Sequence, residues 1–179
     1  MDINLPLFLF LSISFNYMGH RNLVSADDTL IKTQCHNAKV PKACIQCVKS
    51  DPHSQSADKV GIATIVITCI SNKAVTLESN MTVLASSVHD KKLKLVLQDC
   101  QKEFSDAKTN LTTAMDRLKN KDYNQTNYLV NHALQEEFYC KNNVGDLQYT
   151  LPTTILNDMT LYEELSEAAM RIIDRFLWV

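Results

Sequence analysis

The stretch that decides the fold is Asp90–Lys119, DKKLKLVLQDCQKEFSDAKTNLTTAMDRLK. Its apolar positions are Leu93, Leu97, Cys100, Phe104, Ala107, Leu111, Ala114 and Leu118, in strict alternating steps of four and three. A helix lines such a series up along one side, so the segment is expected to be a long helix with one buried seam. Asp90 suits the N-cap, and Lys119 and Lys121 stand at the far end, where the helix dipole favours positive charge.

Outward from this helix the same periodicity recurs. Ser54 to Ser56 offer caps for a preceding long helix with the seam Val60, Ala63, Ile67, Ile70, Ala74, Leu77, Met81, Leu84, and Ser86–Asp90 forms the turn between the two. A third long helix is expected from Asp122 to about Asn142, with a thinner stripe (Tyr123, Thr126, Val130, Ala133, Leu134, Phe138). Asn142–Pro152 reads as a loop, and a last helix as Thr153–Phe176, its stripe comprising Ile155, Met159, Tyr162, Leu165, Ala169, Ile172, Ile173 and Phe176. Upstream, Asp28–Asn37 and Lys42–Lys49 read as short helices about a turn at Ala38–Pro41, the second ended by Asp51-Pro52. Beyond the leader only Gly61, Gly145, Pro41, Pro52 and Pro152 could break helices. The fold class is therefore all-α: an up-down-up-down four-helix bundle (53–179) with an N-terminal helical hairpin (27–52).

Residues 1–26 read as a secretory signal peptide. Leu5 to Phe15 is nearly all apolar and too short to span a bilayer, and Val24-Ser25-Ala26 offers a cleavage site, although Met1–Asn4 carry no positive charge. No other segment is expected to cross a membrane. The net charge is −2, and no basic stretch carries interleaved aromatics, which argues against nucleic acid.

Six cysteines in a secreted chain suggest a disulfide framework with fifteen possible pairings. Cys35 and Cys44 flank the turn at Pro41, so a bridge between them would lock the hairpin. One between Cys100 and Cys140 would clamp the second and third long helices together. Cys47 and Cys69 are left over as a third bridge or as buried thiols, with thiols the preferred reading.

Ile31-x3-Cys35, Pro41-x2-Cys44, Ser50-Asp51-Pro52-x-Ser54, Ala57-Asp58, Asp99-Cys100, Asp106-Ala107, Asp122-Tyr123, Ala133-Leu134 and Cys140 form an ordered set. In it the chain resembles the plant invertase and pectin methylesterase inhibitors from Ile31 to Leu177. The resemblance implies a four-helix bundle with a helical hairpin and bridges Cys35–Cys44 and Cys100–Cys140. It also implies a non-catalytic protein that blocks a secreted carbohydrate-active enzyme one-to-one. Lys141-Asn142-Asn143 departs from the family's acidic-glycine-aromatic pattern after its fourth cysteine, and Cys47 and Cys69 are additions. Lys121-Asp122-Tyr123 stands where the invertase-directed branch often has Pro-Lys-Phe, so pectin methylesterase is expected ahead of acid invertase. The competing expectation is a non-inhibitory pollen or seed protein of the same fold.

Inhibition would need a rigid face. The outward residues Thr64, Thr68, Ser71, Asn72, Thr76 and Ser79 on the first long helix, with Gln98, Gln101, Lys102, Ser105, Lys108 and Thr109 on the second, are the candidates. Their short polar groups would imitate the hydrogen bonding of a sugar chain. Asn80, Asn110 and Asn124 begin glycosylation sequons, and a glycan on Asn110 would restrict docking on the central helix.

Enzyme signals are weak. Cys44-Ile45-Gln46-Cys47 has CxxC spacing but follows no strand and has no second pair. His36, His53, His89 and His132 show no paired metal spacing, and Glu136-Glu137 and Glu163-Glu164 diverge on a helix. No catalytic residue, metal or cofactor is expected, and the free protein is expected to be a monomer in the apoplast.

Overall fold

A computed structural model describes residues 28–178. The expected leader lies outside the described residues. Six α-helices and no strand occur among them: α1 (Asp28–Cys35), α2 (Pro41–Ser50), α3 (Lys59–Ser87), α4 (Lys91–Lys119), α5 (Tyr123–Asp146) and α6 (Thr153–Asp174), with a 3₁₀ turn at Ser54–Ser56.

Three of the long helices, α3, α4 and α5, begin where an aspartate side chain accepts from a free amide. Asp58 Oδ1 accepts from Gly61 N at 2.7 Å, Asp90 Oδ1 from Leu93 N at 2.7 Å and Asp122 Oδ1 from Gln125 N at 3.2 Å. Pro152 stands immediately before α6, and Pro41 opens α2. Between α4 and α5 the reversal is made by Lys121, whose φ of 61° closes Asp122 N onto Arg117 O at 2.9 Å.

The four long helices close a ring in which α3 packs on α4 and α6, and α5 on the same two neighbours. All eight seam positions of α4 are buried. On α3 the buried arc is wider than its expected seam, taking in Ile62, Ile65, Val66 and Ala85, because the hairpin packs on it as well as α4 and α6. Val60 and Leu84, at the ends of that seam, are only half-buried. α3 is also long and apolar enough to cross a bilayer by length and composition, a match that the sequence reading did not anticipate. Its Ile62, Val66, Ile67, Ile70 and Leu77 are fully enclosed by the bundle instead. At the centre Phe104 of α4 meets Tyr162 of α6 edge-on, ring centres 6.2 Å apart, and the Tyr162 hydroxyl donates to Ala133 O of α5 at 2.8 Å. One aromatic pair and one hydrogen bond thus tie three helices.

Three disulfides are present. Cys35–Cys44 closes the α1–α2 hairpin with Cα atoms 5.6 Å apart, and Cys100–Cys140 joins α4 to α5 at 4.7 Å. The preferred reading of Cys47 and Cys69 as buried thiols is corrected: they form a third bridge, Cα atoms 6.3 Å apart, tying α2 to α3. Each lies on the flank of its helix that meets the other, a tertiary fact that spacing along the chain does not carry. Both cysteines of the CxxC are therefore engaged elsewhere, Cys44 with Cys35 and Cys47 with Cys69. The expected loop at Asn142 is also corrected. Val144 lies one turn beyond Cys140 and is buried, so α5 continues to Asp146 through the two asparagines. Only 147–152 is loop.

Candidate partner-binding face

The outward faces of α3 and α4 meet along a shallow groove with fixed register. Thr68 Oγ1 lies 3.6 Å from Met115 Sδ, and three turns further along α3 the Glu78 carboxylate receives Lys108 Nζ at 3.0 Å. The helices run antiparallel, and these two contacts set the register: Thr68 lies beside Met115 and Glu78 beside Lys108, with Ser71 and Val75 between them on α3 and Thr112 between them on α4. Gln98, Lys102 and Thr109 stand further out on the α4 shoulder and are exposed.

The structure divides the expected face. Thr64, Thr68 and Ser71 border the groove and are half-buried. Asn72 and Thr76 turn to the opposite flank of α3, where they line a separate cavity of about 310 Å³ with Cys47, Cys69 and Leu161. Ser79 is exposed between the two flanks. One groove member escaped sequence reading altogether: Val75, 47 % exposed, sits at its centre. It continues the Thr68, Ser71 spacing by four residues, an apolar side chain within an otherwise polar row.

The threonine hydroxyls are less available than their number suggests. Thr64 donates to Val60 O at 2.9 Å, Thr68 to Thr64 O at 2.9 Å, Thr76 to Asn72 O at 3.1 Å and Thr109 to Ser105 O at 3.1 Å. Each proton is committed to its own helix, and the oxygen faces outward as an acceptor only. The imitation of a sugar chain is limited accordingly, since donors must come from Gln98, Gln101 and the lysines. Lys102 is held by Asp106 at 2.5 Å.

The other flank of α4 is acidic. Glu103 shares a hydrogen bond with Glu136 of α5, which together with burial raises its pKa to about 7. His132 Nδ1 lies 3.1 Å from Glu136 Oε1 and 3.1 Å from Asn110 Nδ2. Asn110 thus points to α5, away from the α3/α4 groove, and a glycan carried there leaves the groove open. Asn80 is half-buried on α3, and Asn124 is exposed in the first turn of α5. Among the described residues no three of His, Cys, Asp and Glu gather as metal ligands do.

The sequence matches the plant invertase/pectin methylesterase inhibitor family over residues 29–172. The chain belongs to that family. The match takes in the hairpin, both sides of the α3/α4 groove and nearly all of α6. Among named relatives of this family member is the cell wall / vacuolar inhibitor of fructosidase 2 of Arabidopsis thaliana, 29 % identical over 146 residues, 79 % of each chain. Another is the pectinesterase inhibitor of Actinidia deliciosa, 28 % identical over 124 residues, 69 % of this chain and 67 % of that one. Two solved structures share the fold. A mutant form of a pectin methylesterase inhibitor from Arabidopsis aligns with a TM-score of 0.69 at 21 % identity, covering 80 % of this chain and 95 % of that one. A pectin methylesterase inhibitor from Arabidopsis thaliana aligns at 0.61 and 20 % identity, covering 83 % and 96 %.

Proposed function

We propose that this chain is a secreted, non-catalytic inhibitor of a plant cell-wall carbohydrate enzyme, with pectin methylesterase its first target. It acts as a monomer in the apoplast, covering the substrate groove of the enzyme one-to-one. The observation that carries this reading is the family match across residues 29–172. The α3/α4 groove supports it physically. A surface built on two packed helices loses little entropy when it docks, so most of its contact energy remains available as affinity. Half-buried Thr64 and Thr68, half-buried Gln101, exposed Gln98 and Val75 give that surface short polar contacts around an apolar centre, as protein interfaces have.

Acid invertase is the second reading, favoured by one observation. The relative named as a fructosidase inhibitor covers 79 % of this chain, against 69 % for the pectinesterase inhibitor. Parallel titration of the purified, oxidised protein against a pectin methylesterase and an acid invertase decides between them. Inhibition of pectin methylesterase at near-stoichiometric protein is the expected result. Inhibition of neither enzyme from acid to neutral pH leaves a non-inhibitory bundle. For the face, Ser71→Arg and Gln101→Arg together should weaken inhibition about 100-fold or more by inserting two bulky cations into the groove. Undiminished inhibition by the folded double variant would remove α3/α4 from the interface.

A further inference from the structure

We propose that the cavity where the hairpin meets the ends of the long helices binds a small aromatic carboxylate. The proposal does not rest on the inhibitor reading, and the site is separate from the α3/α4 groove. The cavity lies among α1, the first turns of α3 and α5, and the end of α6, with a volume of about 460 Å³. That is within the usual range for small-molecule sites.

Its walls are Leu30, Val60, Tyr123 and Phe176, and the Tyr123 and Phe176 rings lie 5.1 Å apart, inclined at 53°. The two charged side chains that line it, Lys59 and Arg175, are both cationic, and no carboxylate lines it. Arg175 gives Nη1 to Thr33 O at 2.8 Å and Nη2 to Gln34 O and Oε1, capping the carboxyl end of α1. Its Nε is buried without a partner. Among the described residues Lys59 enters no ion pair, and the Tyr123 hydroxyl makes no hydrogen bond. Two cationic side chains and a phenol thus line an apolar floor with no carboxylate to answer them, which calls for an anion on an apolar body. The inclined ring pair favours a flat ring for that body, because aromatic pairs gain beyond simple burial.

The position of Lys59 adds an independent reason. It occupies the first turn of α3, where the helix dipole opposes a cation and where α3 has no acidic residue. Lys59 therefore does not serve its own helix. Trp178 is not the occupant, since it is 89 % exposed.

Trp178 does provide the readout. It is the single tryptophan of the chain and stands two residues beyond Phe176. The oxidised protein is titrated with 3-phenylpropanoate, which does not absorb where tryptophan is excited, and with the neutral 3-phenylpropanamide. The carboxylate should give a saturable change with a Kd of about 0.1–1 mM, the range open to so small a ligand. The amide should bind about tenfold more weakly. Lys59→Glu should lose carboxylate binding by about tenfold or more while its Tm holds or rises, because an acid suits that helix end. Tyr123→Phe should weaken binding a few-fold without a change in Tm. Equal affinity for acid and amide would overturn the proposal, as would unchanged binding in Lys59→Glu. A wild-type signal that stays linear to about 10 mM would overturn it as well.

Discussion

Glu137 lies fully enclosed between α5 and α6, and neither of its carboxyl oxygens has a hydrogen-bond partner. Burial first, and then the charge of Glu163, push its pKa up to about 8, against a reference of 4.5, with Lys141 pulling the other way. The folded chain holds a proton here that the unfolded chain releases. The stability this contributes is complete below about pH 4.5 and is lost as pH climbs through about 8. Glu103 acts in the same direction through its bond with Glu136. In Glu137→Gln the folding free energy should fall much less between acid and alkaline pH, gaining clearly over the parent near pH 8 and little near pH 5. Urea unfolding at the two pH values measures this, and parallel losses in both proteins would contradict it. Lys121 offers a second test at this scale. Its φ of 61° is left-handed backbone that costs a residue with a side chain about 1 kcal/mol. Lys121→Gly should raise stability by roughly that amount, read as an upward shift in the urea midpoint.

At the scale of helices, α4 was legible in full. Its eight apolar positions keep one period over seven turns, and every one is buried. Its cap was legible too, because Asp90 stands immediately before the first turn. The less legible elements are those whose course depends on a neighbour. The asparagines at 142 and 143 argue locally for an end to α5, yet the burial of Val144 carries the helix onward. Glu136 and Glu137 diverge as helix geometry requires. That both would be buried, one towards Glu103 and the other towards Glu163, follows only from where α4 and α6 lie. The candidate face was read in outline and divided by the structure, since a list of polar residues does not say which flank of α3 the hairpin covers. The α4–α5 clamp carries its own prediction. Its bridge closes a loop of 40 residues, worth about 4 kcal/mol on the chain-entropy model. The variant Cys100→Ala, Cys140→Ala should lose roughly that much in chemical unfolding while keeping its helical circular dichroism. A loss well under half of it would mean that packing along the α4 seam already restrains the unfolded chain.

Across the whole molecule, the fold performs its proposed role by holding a surface still. The ring of α3 to α6 sets the groove, the hairpin is fastened to α3 by Cys47–Cys69, and Arg175 ties the end of α6 to the carbonyls closing α1. Protonated carboxyls at Glu103 and Glu137 stabilise the seating of α5 against both neighbours as pH falls, so the same rigidity should grow towards acid pH.

The bridges are unevenly distributed: α1 to α5 each carry at least one half-cystine, and α6 carries none. Thiol oxidation therefore braids five helices into two covalent groups and leaves the last rod a guest, seated by the packing of its buried stripe from Ile155 to Ile173 and by a few polar ties. Such a rod can peel away without any sulfur bond breaking, so its amide protons should exchange with deuterium as one block, ahead of those in α4. Uniform exchange along all four long helices would show that the guest is as tightly seated as its hosts.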